Sequence, residues 1–126
     1  MKEPTFVQEY QSIAAVLRRY SEGAAQASSE HMRPSFADQA TVYYVDGDGK
    51  LAGGSVQDAL FDALDDDFPE SPAANGVVVR IDIVGTIASA RVDTDNLAGV
   101  RYTDFFHLLK VDGRWTIISK AFHAHG

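Results

Sequence analysis

Two side chains in the C-terminal third of the chain could do chemistry together. Asp104 and Lys120 lie in consecutive strand-like runs joined at Asp112-Gly113, and a carboxylate beside an ammonium can orient a polar ligand or move a proton. Whether they meet depends on the turn. A two-residue turn at Asp112-Gly113 sets Phe105 against Lys120 and Ala121 against Asp104. A three-residue turn at Val111-Asp112-Gly113, with Gly113 left-handed, sets Asp104 opposite Lys120 and gathers Phe106, Leu108, Ile118 and Phe122 beside them. The second is favoured, because it matches the one carboxylate of the hairpin arms with an ammonium across the strands. An ordinary cross-strand ion pair is the structural alternative.

The remaining candidates are weaker. The histidines at positions 31, 107, 123 and 125 titrate near neutral pH, but His31 has only the adjacent Glu30 beside it, and His123-Ala124-His125 reads as a frayed tail, so no metal site is expected. Asp46-Gly47-Asp48-Gly49-Lys50 fails as a calcium loop. Lys50 takes an oxygen-ligand position, Leu51 replaces the required glycine, and Gln57 replaces the closing glutamate. Asp65-Asp66-Asp67 reads as a solvated helix end; Val78, Arg80, Asp82 and Val84 share one strand face with Arg91 on the adjacent strand, and Arg80, Asp82 and Arg91 read as a solvated or ion-paired sheet face. Tyr10, Tyr20, Phe36, Tyr43, Tyr44, Phe61, Phe68 and Phe106 are enough aromatic surface to line a cavity for a flat apolar ligand, or simply to fill a core. No phosphate loop, nucleophile elbow or cofactor motif appears.

The elements that must position these groups follow from periodicity. Phe6, Tyr10, Ile13, Leu17 and Tyr20 recur at helical spacing, predicting a long amphipathic helix that starts at Pro4 or Thr5 and stops at Gly23. Ser29 to Phe36 predicts a short helical segment disturbed by Pro34. Ala40 to Val45 and Lys50 to Ala52 predict a hairpin, and Ser55 caps a helix through Asp67 whose inner face carries Val56, Leu60, Phe61 and Leu64. Then the period switches to two. Val77–Val84, Thr86–Asp93, Val100–Val111 and Arg114–Phe122 predict four strands in an antiparallel meander. Helices followed by a curved antiparallel sheet wrapped around them define an α+β class, in one domain over residues 1–126.

The composition sets outer limits. With 126 residues and 45% hydrophobic content the chain can bury one core without staples. Zero cysteines exclude disulfides, thiolate metal sites and cysteine nucleophiles, and agree with a cytoplasmic setting. Eleven Lys and Arg against 18 Asp and Glu give a net charge of −7, which disfavours nucleic acid and anionic membranes as partners. Met1-Lys2-Glu3-Pro4 lacks the apolar core of a signal peptide, and no apolar run approaches the roughly 18 residues of a membrane span.

The run from Tyr102 through Phe105-Phe106-His107-Leu108-Leu109 and Gly113-Arg114-Trp115 to Lys120 resembles the last hairpin of the putative lumazine-binding family. That family belongs to the nuclear transport factor 2-like (NTF2-like), or SnoaL-like, superfamily. Gly85 to Val92 is similar to the preceding strand, and the order of elements extends the likeness over nearly the whole chain, although Phe36-Ala37-Asp38-Gln39-Ala40 departs from the family's Phe-His-Pro-Asp-Ala pattern. The resemblance implies a cone-shaped α+β barrel (cystatin-like) with an interior pocket, commonly a homodimer. In that fold the second helix borders the cavity, making His31 a third candidate acid or base beside Asp104 and Lys120. The pocket would be lined by Tyr10, Tyr20, Phe36, Tyr44, Phe61, Asp104, Phe106 and Phe122.

Superfamily members include isomerases, dehydratases, cyclases and non-catalytic binders, so three readings compete. The first, and preferred, is a binder of a small, largely apolar ligand without a cofactor. The second is a cofactor-free lyase or isomerase, and the third a dimeric scaffold. Two structural expectations accompany them. Phe105, His107, Leu109, Trp115 and Ile117 should form an outer apolar face that pairs two copies. Ile13, Leu17, Phe61, Leu108 and Ile118 should be buried.

Overall fold

Thr5 begins the first helix with a reciprocal cap. Its Oγ1 accepts the Gln8 backbone N–H at 3.1 Å, and Gln8 Oε1 accepts the Thr5 N–H at 2.8 Å. The computed structural model describes residues 4–126, so residues 1–3, on which part of the N-terminal reading rests, lie outside the described residues. Helix α1 spans Phe6–Gln26 and buries Ile13, Leu17, Tyr20 and Ala24 at the predicted spacing. The first turns of the stripe are not covered. Phe6 is 87% and Tyr10 45% exposed, while Glu9 takes the sheet-facing position there and pairs with Lys110 at 2.9 Å.

The helix runs through Gly23. The left-handed stop falls instead on Ala27, φ 53°. Gly23 serves packing: a Cβ there would lie 2.6 Å from Met32 Cβ, so its missing side chain lets helix α2, Ser29–Met32, cross α1 closely. A 3-10 turn at Arg33–Ser35, with Pro34 at its start, leads into strand β1, Phe36–Val45.

Strand β2, Leu51–Ser55, returns from a turn in which Asp46 Oδ1 accepts the backbone N–H groups of Asp48 and Lys50, both at 2.9 Å. Ser55 Oγ then caps the Asp58 N–H at 3.1 Å. The first turn of that helical segment, Gln57–Phe61, is the wider π form, and it continues as α3, Asp62–Asp66, with Val56, Phe61 and Leu64 buried.

Four strands complete the chain: β3 Asn75–Val84, β4 Ile87–Leu97, β5 Val100–Val111 and β6 Arg114–His125. The sheet order is β2-β1-β6-β5-β4-β3. Its pairs are antiparallel except β1 with β6, which run parallel, since the meander travels from the far edge back to the centre and delivers β6 beside β1. The architecture is α+β with a curved six-stranded sheet, but it is not a closed barrel. Edge strands β2 and β3 do not pair with each other, and the helical segments cover the inner face in place of closure.

Two local readings change. β6 does not fray after Phe122: it stays paired to Arg101↔His125, and Thr103 Oγ1 meets His125 Nε2 at 2.9 Å. Val78 does not share a face with Arg80 and Asp82, because a bulge between Val78 and Arg80 reverses the alternation. Arg80 and Asp82 form an exposed ion pair at 3.2 Å, and Arg91 holds Asp93 with two 3.0 Å hydrogen bonds. No described helix is long and apolar enough to cross a membrane.

Candidate functional site

The geometry of the last hairpin decides what lies inside the sheet. Asp112 and Gly113 both have positive φ, 50° and 77°, the form of a two-residue turn that matches strand twist, and Val111 pairs with Arg114. The favoured three-residue turn is therefore corrected. A two-residue turn alone would point Lys120 outward. Instead the register shifts between His107 and Leu108: Leu108 pairs with Ile117, His107 with Ser119, and Ile118 is the extra residue.

One inserted residue flips every side chain beyond it to the other face. Trp115 and Ile117 point inward before the bulge, Lys120 and Phe122 after it, and Ile118 is only half-buried. Trp115 and Ile117 are thus core residues, not outer-face ones. The outer side keeps Phe105, His107 and Leu109. Ile117 takes the buried place expected for Ile118, while Ile13, Leu17, Phe61 and Leu108 are buried as read.

Asp104 and Lys120 consequently share the inner face as diagonal neighbours, Asp104 opposite Phe122 and Lys120 opposite Phe106. Lys120 Nζ is 3.9 Å from Asp104 Oδ1, with side chains 6% and 4% exposed. From α1, the Tyr20 hydroxyl donates to Asp104 Oδ2 at 2.9 Å. The ammonium also sits 4.9 Å from the Tyr20 ring centre and 4.8 Å from that of Phe122.

Burial dominates the titration of all three groups. It pushes Asp104 above the usual carboxylate range, against the opposing pull of Lys120 and the Tyr20 hydrogen bond. It pushes Lys120 below the usual ammonium range, with Asp104 opposing. Tyr20 is held well above its ordinary value by burial and by Asp104, so it remains a neutral donor.

This trio lines a cavity of about 190 Å³ whose other walls are apolar: Ala24, Met32, Ala59, Leu60, Leu64, Phe68 and Leu97, with Tyr44, Tyr102 and Phe122 half-buried at its rim. Its size is below the roughly 300–1,000 Å³ of drug-sized sites, and it would hold about six waters. Of the residues assigned to a pocket from the sequence, the structure brings Tyr20, Tyr44, Asp104 and Phe122 to this cavity. Phe36, Phe61 and Phe106 are set behind it. They form an edge-to-face chain, Phe36 to Phe61 at 5.6 Å, Tyr20 to Phe36 at 6.0 Å and Tyr20 to Phe106 at 4.9 Å, that fixes the Tyr20 ring.

Tyr10 lies away from the cavity on the exposed first turns of α1. His31 also points elsewhere, its Nε2 meeting Glu22 Oε1 at 2.9 Å, because on the short α2 the next residue, Met32, takes the inward position. Asp65 is not simply solvated: it accepts the Ser29 backbone N–H at 3.0 Å and the Ser29 hydroxyl, tying α3 to α2, and these bonds hold its carboxyl below the usual range. Sequence reasoning missed Tyr102, Leu97 and Met32. Tyr102 was within reach, since it shares the parity of Asp104 on β5.

A curved sheet closed on one side by a long helix, with a polar trio at the bottom of an apolar cavity, defines an NTF2-like protein. The model of the family described as "Putative lumazine-binding" matches residues 8–123, and the chain belongs to that family. It is 35% identical, over 93% of its length and 92% of the relative, to a protein from Cladobotryum sp. named Aldolase FrzH. Among solved structures it is similar to an NTF2-like protein of unknown function from Shewanella baltica OS155, with 54% identity, TM-score 0.96 and coverage of 98% of this chain and 99% of the other. A second NTF2-like protein of unknown function, from Methylobacillus flagellatus KT, is 37% identical with TM-score 0.89, covering 100% and 99%.

Proposed function

We propose that the protein binds a small, largely apolar carbonyl compound in the interior cavity and removes a proton from the carbon next to its carbonyl group. The observation that carries this reading is the buried trio Asp104, Tyr20 and Lys120 facing an otherwise apolar space. A carboxylate whose affinity for protons is raised by burial is a better base than one in water, and an adjacent cation stabilises the enolate oxygen that forms. Asp104 is the base and Lys120 the electrostatic partner. Tyr20 positions Asp104 through its hydrogen bond. The cavity volume favours a ligand of monocyclic size over a large polycycle.

The relative named an aldolase supports the same chemistry, because making or breaking a carbon–carbon bond beside a carbonyl begins or ends at that carbanion. We also propose that two copies pair through the outer sheet face, where Tyr43, Ala121 and Phe105 form one row across β1, β6 and β5.

The test is deuterium incorporation. In D₂O, NMR of cyclohexanone with the full chain should show enzyme-dependent loss of the α-proton signals, and Asp104→Asn should slow it about a hundredfold or more while the fold melts cooperatively. Equal rates for parent and Asp104→Asn overturn the assignment of the base.

A further inference from the structure

Lys120 is an unusual amine. An ammonium has three N–H donors, yet among the described residues Lys120 Nζ donates no hydrogen bond; Asp104 Oδ1, at 3.9 Å, lies beyond reach. Two aromatic rings flank it, and its side chain is 6% exposed while lining the cavity. The surroundings of the other described lysines differ. Lys50 is exposed in the β1–β2 turn, and Lys110 is bonded to Glu9 at 2.9 Å.

An amine that is largely desolvated, without a hydrogen bond from the protein, and open to a cavity is poised for nucleophilic attack, because its lone pair is freed more readily than that of a fully hydrated ammonium. We infer that Lys120 reacts covalently with the carbonyl carbon of the bound compound, forming an imine. The inference rests on the carbonyl reading above and deepens it, replacing a purely electrostatic Lys120 by a covalent one.

The step balances without any oxidant or reductant. The neutral amine adds to the carbonyl carbon, forming the C–N bond while the C=O π electrons move to oxygen. The Asp104 carboxyl, protonated when the Lys120 ammonium gave up its proton to become the neutral amine, relays one amine proton to that oxygen and remains protonated, giving a carbinolamine. The C–O bond then breaks, the oxygen leaves as water with the second amine proton, and a C=N bond remains: one carbonyl and one amine yield one imine and one water. Protonation of that imine by the Asp104 carboxyl turns the nitrogen into an electron sink, and the carboxylate left behind can accept the proton from the adjacent carbon. Burial that holds Lys120 below the ordinary ammonium range increases the neutral fraction available for the first step.

Reductive trapping tests this. The full chain is incubated near neutral pH with acetone, cyclohexanone or benzaldehyde and sodium cyanoborohydride, which reduces imines to stable secondary amines, and the adduct is mapped by peptide mass spectrometry. With four lysines in the chain the map is simple. Adduct at Lys120 about tenfold or more above that at Lys50 is expected. Lys120→Arg should abolish it with the fold kept, and Lys120→Met serves if the arginine does not fit.

Labelling spread evenly over Lys50, Lys110 and Lys120, or absent from Lys120, overturns the inference. The two proposals fail separately. Deuterium exchange that persists in Lys120→Arg without any trapped adduct removes the covalent step and leaves the acid–base reading, whereas a Lys120 adduct without exchange in the parent supports the covalent step and removes Asp104 as the base.

Discussion

Removing the cation from the buried pair should cost far more than removing the pair. In Lys120→Met the Asp104 carboxylate, 4% exposed, loses the one nearby cation among the described residues and keeps, among them, a single hydrogen bond, from Tyr20. Breaking a buried ion pair from one side costs about 3–5 kcal/mol, because a charge is left without compensation; replacing both partners by neutral groups of similar shape is often neutral or stabilising. The double variant Asp104→Asn/Lys120→Met should therefore recover most of that loss, a coupling of roughly 2–3 kcal/mol. The pH dependence has a definite sign. Lys120 is the strongest influence holding Asp104 down, so its removal raises the folded-state pKa further above the ordinary 3.8. A folded state that binds this proton more tightly than the unfolded one is most stable below 3.8, and it loses stability as pH rises from there through the raised folded value. Measured at about pH 4 and about pH 8, the cost of Lys120→Met should be smaller at the lower pH. Urea unfolding followed by the fluorescence of Trp115, the one tryptophan, 6% exposed, reads each variant against its parent. A cost equal at both pH values, or a double variant no more stable than the single, would refute the charged-pair argument.

Two further outcomes test the frame around the site. Leu108 is fully buried opposite Ile117, so Leu108→Ala should cost about 2–5 kcal/mol and lower Tm by roughly 10 °C or more; an unchanged Tm would contradict the register. The proposed pairing of two copies should give a light-scattering mass of twice 13.7 kDa at micromolar concentration, and Phe105→Asp, at the 49% exposed β5 end of the outer row, should return it to one chain; a parent already of single-chain mass sinks the pairing.

Most of the frame was legible because it rests on local signals. The spacing of Ile13, Leu17 and Tyr20 predicts the buried stripe of α1, Ser55 marks the third helical segment, and Val100–Val111 is a strand with the bounds its alternation suggests. What was not legible depends on partners distant in sequence. A glycine late in a helix serves equally as a left-handed stop or as a gap for a neighbour, and only the arrival of Met32 shows that Gly23 is the second. Tyr10 has the right period, but its neighbour Glu9 takes the sheet-facing position, bonded to Lys110, and Tyr10 stays exposed. His31 sits on an element next to the cavity, yet a four-residue helix has one inward position there, and Met32 holds it. The aromatic set suits a lining or a core equally from composition, and in the fold Phe36, Phe61 and Phe106 form the support behind one lining residue, Tyr20.

The sequence pairs Asp104 with Lys120 through a three-residue turn, whereas the chain pairs them through a two-residue turn and a bulge. With Asp112-Gly113 as a two-residue turn, regular alternation along β6 would carry Trp115, Ile117, Ser119 and Ala121 inward and leave Lys120 outside. Asp104 would then be buried without a cation, at a cost the fold has no means of recovering nearby, since the other described residues that line the cavity are apolar or uncharged. The extra residue at Ile118 removes that conflict. It lets Trp115 and Ile117 fill the core near the turn, and two residues further along it turns Lys120 and Phe122 toward Asp104. The signal in the sequence is the adjacent apolar doublet Ile117-Ile118, which breaks the period of two on a strand that is otherwise alternating. A strand that changes its inward face part-way can serve as core at one end and as a reactive wall at the other, and here the change falls between Ile117 and Lys120.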